Sequence, residues 1–187
     1  MAAAGCATWN PPPPRAAETA AAADIYSGSL RVSVKGASVR GRSPILVAFR
    51  RPGSVRLEIP GSAGARLIAV VRNDRMRAVF PSHRAVLEGT ATAADFDALL
   101  GVALEPVELM DILVGVGPPR LRSFRVGWGE SLPERIEAEL PDGTKLKVSV
   151  DEGEIGLSLP SAAFEFPPAR GYRSVDAGEA RQLLGGR

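Results

Sequence analysis

The stretch Ala91 to Gly115, ATAADFDALLGVALEPVELMDILVG, is the one long helical run in a chain that otherwise reads almost throughout as strands. Thr92 stands three residues ahead of Asp95, which suits a helix start: the hydroxyl accepts an orphan backbone N–H and the carboxylate complements the helix dipole. Gly101 is a natural stop. Glu105-Pro106 is a second start, because proline at the first helical position loses no hydrogen bond, and Gly115 ends that turn set. Phe96, Leu99 and Leu100, then Val107, Met110, Leu113 and Val114, recur at spacings of three and four, which predicts two short amphipathic helices. Helices of about ten residues are marginal alone, so both must lie on something.

On either side the period is two. Leu30, Val32 and Val34 alternate with Ser29, Arg31, Ser33 and Lys35; Ser43 to Arg50 and Arg66 to Arg72 are apolar on both sides; Val55, Leu57 and Ile59 alternate with Arg56 and Glu58. Met76 to Phe80 and Arg84 to Glu88 follow, with Asn73-Asp74 and Pro81-Ser82 as turns. Beyond the helical insert come Leu121 to Trp128 and Glu134 to Leu140, then Asp142-Gly143 as a hairpin turn. The pattern next predicts Lys145 to Val150 paired with Ile155 to Leu159 about a hinge at Glu152-Gly153. It also predicts an edge strand at Phe164 to Phe166, stopped by Pro167-Pro168. Asp176 with Glu179 starts a closing helix. A meander of about 10–11 strands cannot stay flat. The expected fold is mainly β: a curved, unclosed antiparallel barrel with the short helices against its concave side.

Composition bounds the function. The chain has 187 residues, enough for a sizeable core, with 45% hydrophobic and 24% charged residues and a net charge of +2. No apolar run approaches the length of about 18 residues that a membrane span needs. Charge is uneven: twelve Lys or Arg against two acids from Arg31 to Arg84, and ten against seventeen from Glu88 onward. The arginines of the first half alternate with apolar residues, as on the solvated face of a sheet. Neither an aromatic stacking platform nor a recognition-helix motif accompanies them, so no nucleic-acid partner is expected.

Ala3-Ala4-Gly5-Cys6 resembles the end of a bacterial lipoprotein signal, with Ala3 where leucine is usual, and makes Cys6 a candidate lipidation site; the other reading is a free cysteine on a tail. Ala7 to Ala23, with Pro11 to Pro14 in a row and an alanine-rich segment, reads as a tether. The expected organisation is thus residues 1–24 as anchor and tether, 25–175 as the half-barrel with its lid at 91–115, and 176–187 as a short helix and tail.

Tyr26 to Tyr172 resembles the LolA/LolB lipoprotein-carrier superfamily. The resemblance is carried by Arg51-Pro52-Gly53-Ser54-Val55-Arg56-Leu57-Glu58 at the third strand, by Ala98-Leu99-Leu100-Gly101 and Ile112-Leu113-Val114-Gly115 as lid helices, and by Phe166-Pro167-Pro168 with Gly171-Tyr172 as the closing segment. It implies an unclosed barrel whose concave face and helical lid enclose a cavity for the acyl chains of lipoproteins or lipids. It also implies a place in the bacterial envelope, facing the periplasm, and a lipidated Cys6 would favour the type anchored at the outer membrane. The loop PGSAG at 60–64 and the turn Asn73-Asp74 lack the bulky apolar residue that the outer-membrane receptor uses for insertion, which is a departure from that type.

Candidate cavity-lining residues on the sheet are Leu30, Val32, Phe49, Val55, Leu57, Phe124 and Trp128. Those on the helices are Phe96, Leu100, Val107, Met110 and Leu113. For each, plain core packing is the competing reading. Arg56 is a candidate lid latch, bonding helix-end carbonyls, or an ordinary outward arginine. No catalytic constellation is expected: His83 is the single histidine and sits in a turn, Glu137 and Glu139 share a polar strand face, and the sequence has no nucleophile elbow, P-loop or cysteine pair. Neither a metal nor another cofactor is called for, although Asp151, Glu152 and Glu154 crowd a turn. Two functions compete: a membrane-tethered, non-catalytic acyl-chain carrier or acceptor, and a scaffold with a filled interior that works through an envelope protein partner. A cavity of about 300 Å³ or more between sheet and helices favours the first.

Overall fold

The computed structural model describes residues 9–37, 39–156 and 158–185; Cys6 lies outside them. A single ten-stranded sheet runs in the order β10-β6-β5-β4-β3-β2-β1-β9-β8-β7. Its strands are β1 (Ile25–Lys35), β2 (Arg40–Arg50), β3 (Ser54–Gly61), β4 (Gly64–Arg72), β5 (Arg75–Phe80), β6 (Ala85–Thr90), β7 (Ser123–Trp128), β8 (Pro133–Glu139), β9 (Lys145–Ile155) and β10 (Arg173–Ser174). Neighbours are antiparallel except β10 on β6. The edges, β7 and β10, do not pair with each other, so the barrel is unclosed.

The helical insert crosses from one side of the sheet to the other. It leaves β6 as α2 (Ala93–Leu100) and α3 (Pro106–Leu113) and delivers the chain to β7 at the far edge. Its punctuation is as the sequence predicts. Thr92 caps α2, its hydroxyl accepting from Asp95 N at 3.3 Å while Asp95 accepts from Thr92 N at 3.1 Å, and Gly101 ends the helix at φ 73°. Glu105 caps α3, and Gly115 takes φ 83° just beyond its end. Phe96, Leu99, Met110, Ile112 and Leu113 share one core with the inward residues Leu30, Val47, Leu57, Leu67 and Val148 of the sheet.

Three expectations are corrected. Lys145 to Leu159 is not a hairpin, because β9 continues to Ile155 and pairs with β1 over its length. Leu30 pairs with Val150 and Ser29 with Glu152, so Asp151 is the extra residue of a bulge and ion-pairs with Arg31 at 2.5 Å. Gly153 is no hinge. It faces Gly28, where a Cβ would fall 2.5 Å from the Tyr26 hydroxyl and 2.8 Å from the Glu152 carbonyl, so the glycine at 28 makes room for a buried tyrosine.

Phe164 to Phe166 is not a strand either. Ser161–Phe164 is a 3-10 turn, and Pro160, Pro167 and Pro168 cannot donate to a ladder; the edge strand is β10 instead. The segment around this turn lies across the outer face of β3 and β4 as a strap. Arginines read as a solvated face hold it: Arg50 donates to Leu159 O at 2.5 Å, Arg56 to Ala163 O at 3.5 Å and Arg77 to Pro167 O at 3.3 Å. Arg50 and Arg77 also stand 5.1 and 5.2 Å from the rings of Phe164 and Phe166. Phe164 and Val70, the latter opposite Arg56, are buried on this side.

Third, residues 9–23 are not a free spacer. Arg125 sits 4.2 Å over the Trp9 ring, Asn10 O accepts from Trp128 N at 3.2 Å, and α1 (Ala16–Ala21) buries Ala16 and Ala20 in the main core. The small alanine side chains let the helix backbone approach closely, and the Asn10 bond covers part of the β7 edge.

An apolar cavity beneath the helical lid

A cavity of about 260 Å³ lies between the concave face of the sheet and α2 and α3. Its sheet wall includes Leu30, Val32, Val34, Val47, Leu57, Ile59, Leu146 and Val148. Its roof is Phe96, Leu99, Leu100, Val102, Leu104, Leu109, Ile112 and Leu113. Exposed Arg40, Gly41, Arg42 and Arg66, with Arg181, Leu184 and Gly185 at the end of α4 (Ala177–Leu183), mark its mouth. Two clefts elsewhere, of about 660 and 610 Å³, are walled largely by polar residues such as Ser27, Glu58, Glu152, Glu130 and Asp151. Both are somewhat more open than the cavity under the helices, and a smaller share of their walls is apolar.

Of the candidate lining residues, Leu30, Val32, Leu57, Phe96, Leu100 and Leu113 are brought together around this cavity. Phe49, Val55, Met110 and Trp128 are buried in the solid remainder of the core. Phe49 stacks on Tyr26 with centroids 5.4 Å apart under the guanidinium of Arg51, and burial pushes the Tyr26 hydroxyl up to about 12. Phe124 packs beside Gly117, where a Cβ would come within 2.6 Å of its ring. Val107 is 47% exposed. In α3 nearly every position but Glu108 and Asp111 is apolar, so helical spacing fits the face of Val107 as well as the inward face of Leu109, Ile112 and Leu113. Leu146 and Val148 line the cavity because β9 pairs with β1, a contact no local pattern announces.

The lid is held by polar contacts at its ends. Arg56 does not reach it; besides Ala163, its partner is Glu58 at 3.2 Å. Arg51 does, donating to Asp111 of α3 at 2.7 Å and to Ala23 O at 3.3 Å. Arg181 of α4 donates to Asp97 O of α2 at 2.5 Å. Arg120 holds Glu108 in a two-bond pair and donates to Ala103 O at 2.6 Å. Glu105 binds the two helices together: besides capping α3, it accepts from Ala93 N, the first residue of α2, at 3.1 Å. Hydrogen bonding from Arg120 holds the Glu108 carboxyl below its usual range, and the Thr92 hydroxyl does the same for Asp95.

Beneath the arginines of the mouth the walls are aliphatic and aromatic, with Ser43 as the sole lining hydroxyl among the described residues. Such a surface can hold hydrocarbon by removing it from water and does not require directional contacts. A LolA superfamily protein from Nitrosomonas europaea superposes on 81% of this chain and 94% of its own at 10% identity, with a TM-score of 0.50. The fold is LolA-like. A DUF1329 family protein from Desulfovibrio piger (10% identity, 80% and 92% covered, TM-score 0.45) and an outer membrane lipoprotein-sorting protein domain from Vibrio parahaemolyticus (6%, 79% and 92%, 0.44) are similar at lower scores. No protein-family model matches the sequence, and no curated protein does. In this LolA-like half-barrel, α2 and α3 occupy the concave side and the cavity lies under them.

Proposed function

We propose that this chain is a non-catalytic carrier or acceptor that takes an acyl chain of a lipoprotein or lipid into the cavity beneath α2 and α3. The observation that supports it is the continuous apolar wall formed by Leu30, Val32 and Leu57 on one side and Phe96, Leu100 and Leu113 on the other. Each methylene withdrawn from water there contributes about 0.8 kcal/mol, so part of one chain supplies several kcal/mol. At about 260 Å³ the space falls short of the lower bound of about 300 Å³ for small-molecule pockets, so it has room for part of one chain and not for several.

We further propose that Cys6 is lipidated and that the domain faces the periplasm from the outer membrane. Since Trp9 is already seated on Arg125, only three residue steps separate an anchor at Cys6 from the folded body, a reach of about 10 Å at full extension. The domain would then stand close to the membrane, with its β7 edge nearest the anchor. The competing reading, a scaffold with a filled interior serving an envelope partner, draws on the solid packing of Tyr26, Phe49, Met110 and Trp128 in the rest of the core.

Native mass spectrometry of protein purified from membranes separates the two. The carrier reading expects a co-purifying acyl ligand and transfer of it to acceptor vesicles. Recovery of ligand-free protein that transfers nothing would leave the scaffold. Release from membranes on Cys6→Ala tests the anchor, and retention of the variant in the membrane fraction would refute it.

A further inference from the structure

Among the described residues, those around the cavity include four arginines, Arg40, Arg42, Arg66 and Arg181, and no acid. This mainly basic charge, with the Asp97 carboxylate beside Arg181, sits at the rim of an apolar compartment, where low-dielectric walls strengthen its field. Two of the four are placed by specific features. Pro60 pairs with Ala65 and Ile59 with Leu67, so Arg66 is the unpaired residue of a bulge, a device that re-aims a side chain. Its stem lies over Gly61, where a Cβ would fall 2.7 Å from Arg66 Cγ, and its Nη2 donates to Leu184 O at the end of α4 at 2.6 Å.

Arg181 reaches the mouth from α4. Its Nη2 is engaged with Asp97 O, whereas its Nε–H is buried and has no acceptor among the described residues. A buried donor left unpaired is disfavoured by about 1–3 kcal/mol, so the site is incomplete as it stands. The Asp97 carboxylate, 3.9 Å from Arg181 and 48% exposed, is a loose, solvent-screened partner that an entering anion can replace. A guanidinium carries five N–H donors, and each of these two has committed only part of its set to a helix-end carbonyl.

We propose that the mouth of the cavity binds the anionic head group of a single-chain amphiphile, its carboxylate or phosphate oxygens accepting from Arg66 and Arg181 while its tail fills the space under the lid. The inference rests on the acyl-binding reading and adds the class of head group. Guanidinium forks match carboxylate and phosphate oxygens, and a neutral head would leave the rim charge unanswered. Arg40 and Arg42, exposed at the start of β2, add attraction at the same rim.

The test is isothermal titration of the 187-residue chain with probes sharing one tail, below their micelle concentrations: laurate, lauroyl lysophosphatidate, zwitterionic lauroyl lysophosphatidylcholine and neutral monolaurin. Inorganic phosphate serves as the tail-free control. At least one anionic probe is expected to bind about tenfold or more tighter than monolaurin, with the advantage shrinking as salt rises. Whether laurate or the lysophosphatidate leads tells which oxyanion the site prefers. The Arg66→Gln/Arg181→Gln pair should reduce anionic affinity about tenfold more than neutral affinity, and Arg66→Lys/Arg181→Lys should restore only part of it. Monolaurin binding by each variant verifies that the cavity is folded. Equal affinity for anionic and neutral probes overturns the head-group inference and leaves the acyl reading in place. Inorganic phosphate binding as tightly as the lysophosphatidate overturns it in favour of a plain anion site. No binding by any probe overturns both readings.

Discussion

Arg181 in the last helix donates to the carbonyl of Asp97 in the first lid helix at 2.5 Å, across 84 positions of sequence. The chain's end therefore fastens the element that roofs its cavity. A hydrogen bond from a charged donor contributes about 1.5–3 kcal/mol where it is sheltered, and less here because the Arg181 side chain is 28% exposed. Arg181→Ala should lower stability by about 1 kcal/mol and raise hydrogen exchange selectively over residues 93–100. A uniform rise across the sheet would show that the bond does not govern the lid.

Glu105 serves two helix starts at once, so Glu105→Ala should act beyond an ordinary cap. Losing one cap is worth about 1 kcal/mol. Releasing the Ala93 N–H as well as α3 should bring the loss to about 1–2 kcal/mol by urea denaturation, against about 1 kcal/mol for Thr92→Ala, which uncaps α2 alone. Equal losses would mean that the Glu105–Ala93 bond contributes nothing.

Asp95 and Glu108 titrate below their ordinary values of 3.8 and 4.5. A carboxylate lowered in the folded state stabilises the protein above its unfolded value, and that contribution is lost as pH falls through the lowered one. The gap in melting temperature between the native chain and Glu108→Gln should therefore be full at neutral pH and close as pH falls below the ordinary carboxylate range. A gap that stays constant over that range removes the Arg120–Glu108 pair as its source.

Leu100 and Phe49 should separate cavity from core. Leu100→Trp puts a large ring into the space under the lid and should reduce monolaurin affinity about tenfold or more while melting within a few degrees of the native chain. Phe49→Ala, at a site with 0% exposure, should cost about 3–5 kcal/mol. If Leu100→Trp unfolds the protein as Phe49→Ala does, the space is not free volume in solution.

The strap on the outer face predicts a different failure. Phe164→Ala removes the buried anchor over β3 and β4 and should expose Val70 to solvent, read as increased binding of a hydrophobic dye together with a loss of about 3 kcal/mol. Unchanged dye binding would mean that the strap stays seated without its aromatic anchor.

What the sequence determined by itself was local. Thr92, Gly101, Glu105-Pro106 and Gly115 set the two lid helices, Asp142-Gly143 the last hairpin, and Asp176 the closing helix, because a cap or a turn is settled by backbone and side-chain groups a few residues apart. The alternation of apolar residues likewise fixed which strand faces turn inward. Long-range pairing decided the rest. The match of β9 to β1 turned an expected hairpin into one bulged strand and carried Leu146 and Val148 to the cavity wall. Five residues apart in one stretch, Arg51 reaches the lid and Arg56 the strap. An arginine's spacing in sequence says which face it leaves from, and only the elements packed against that face decide what its long side chain meets.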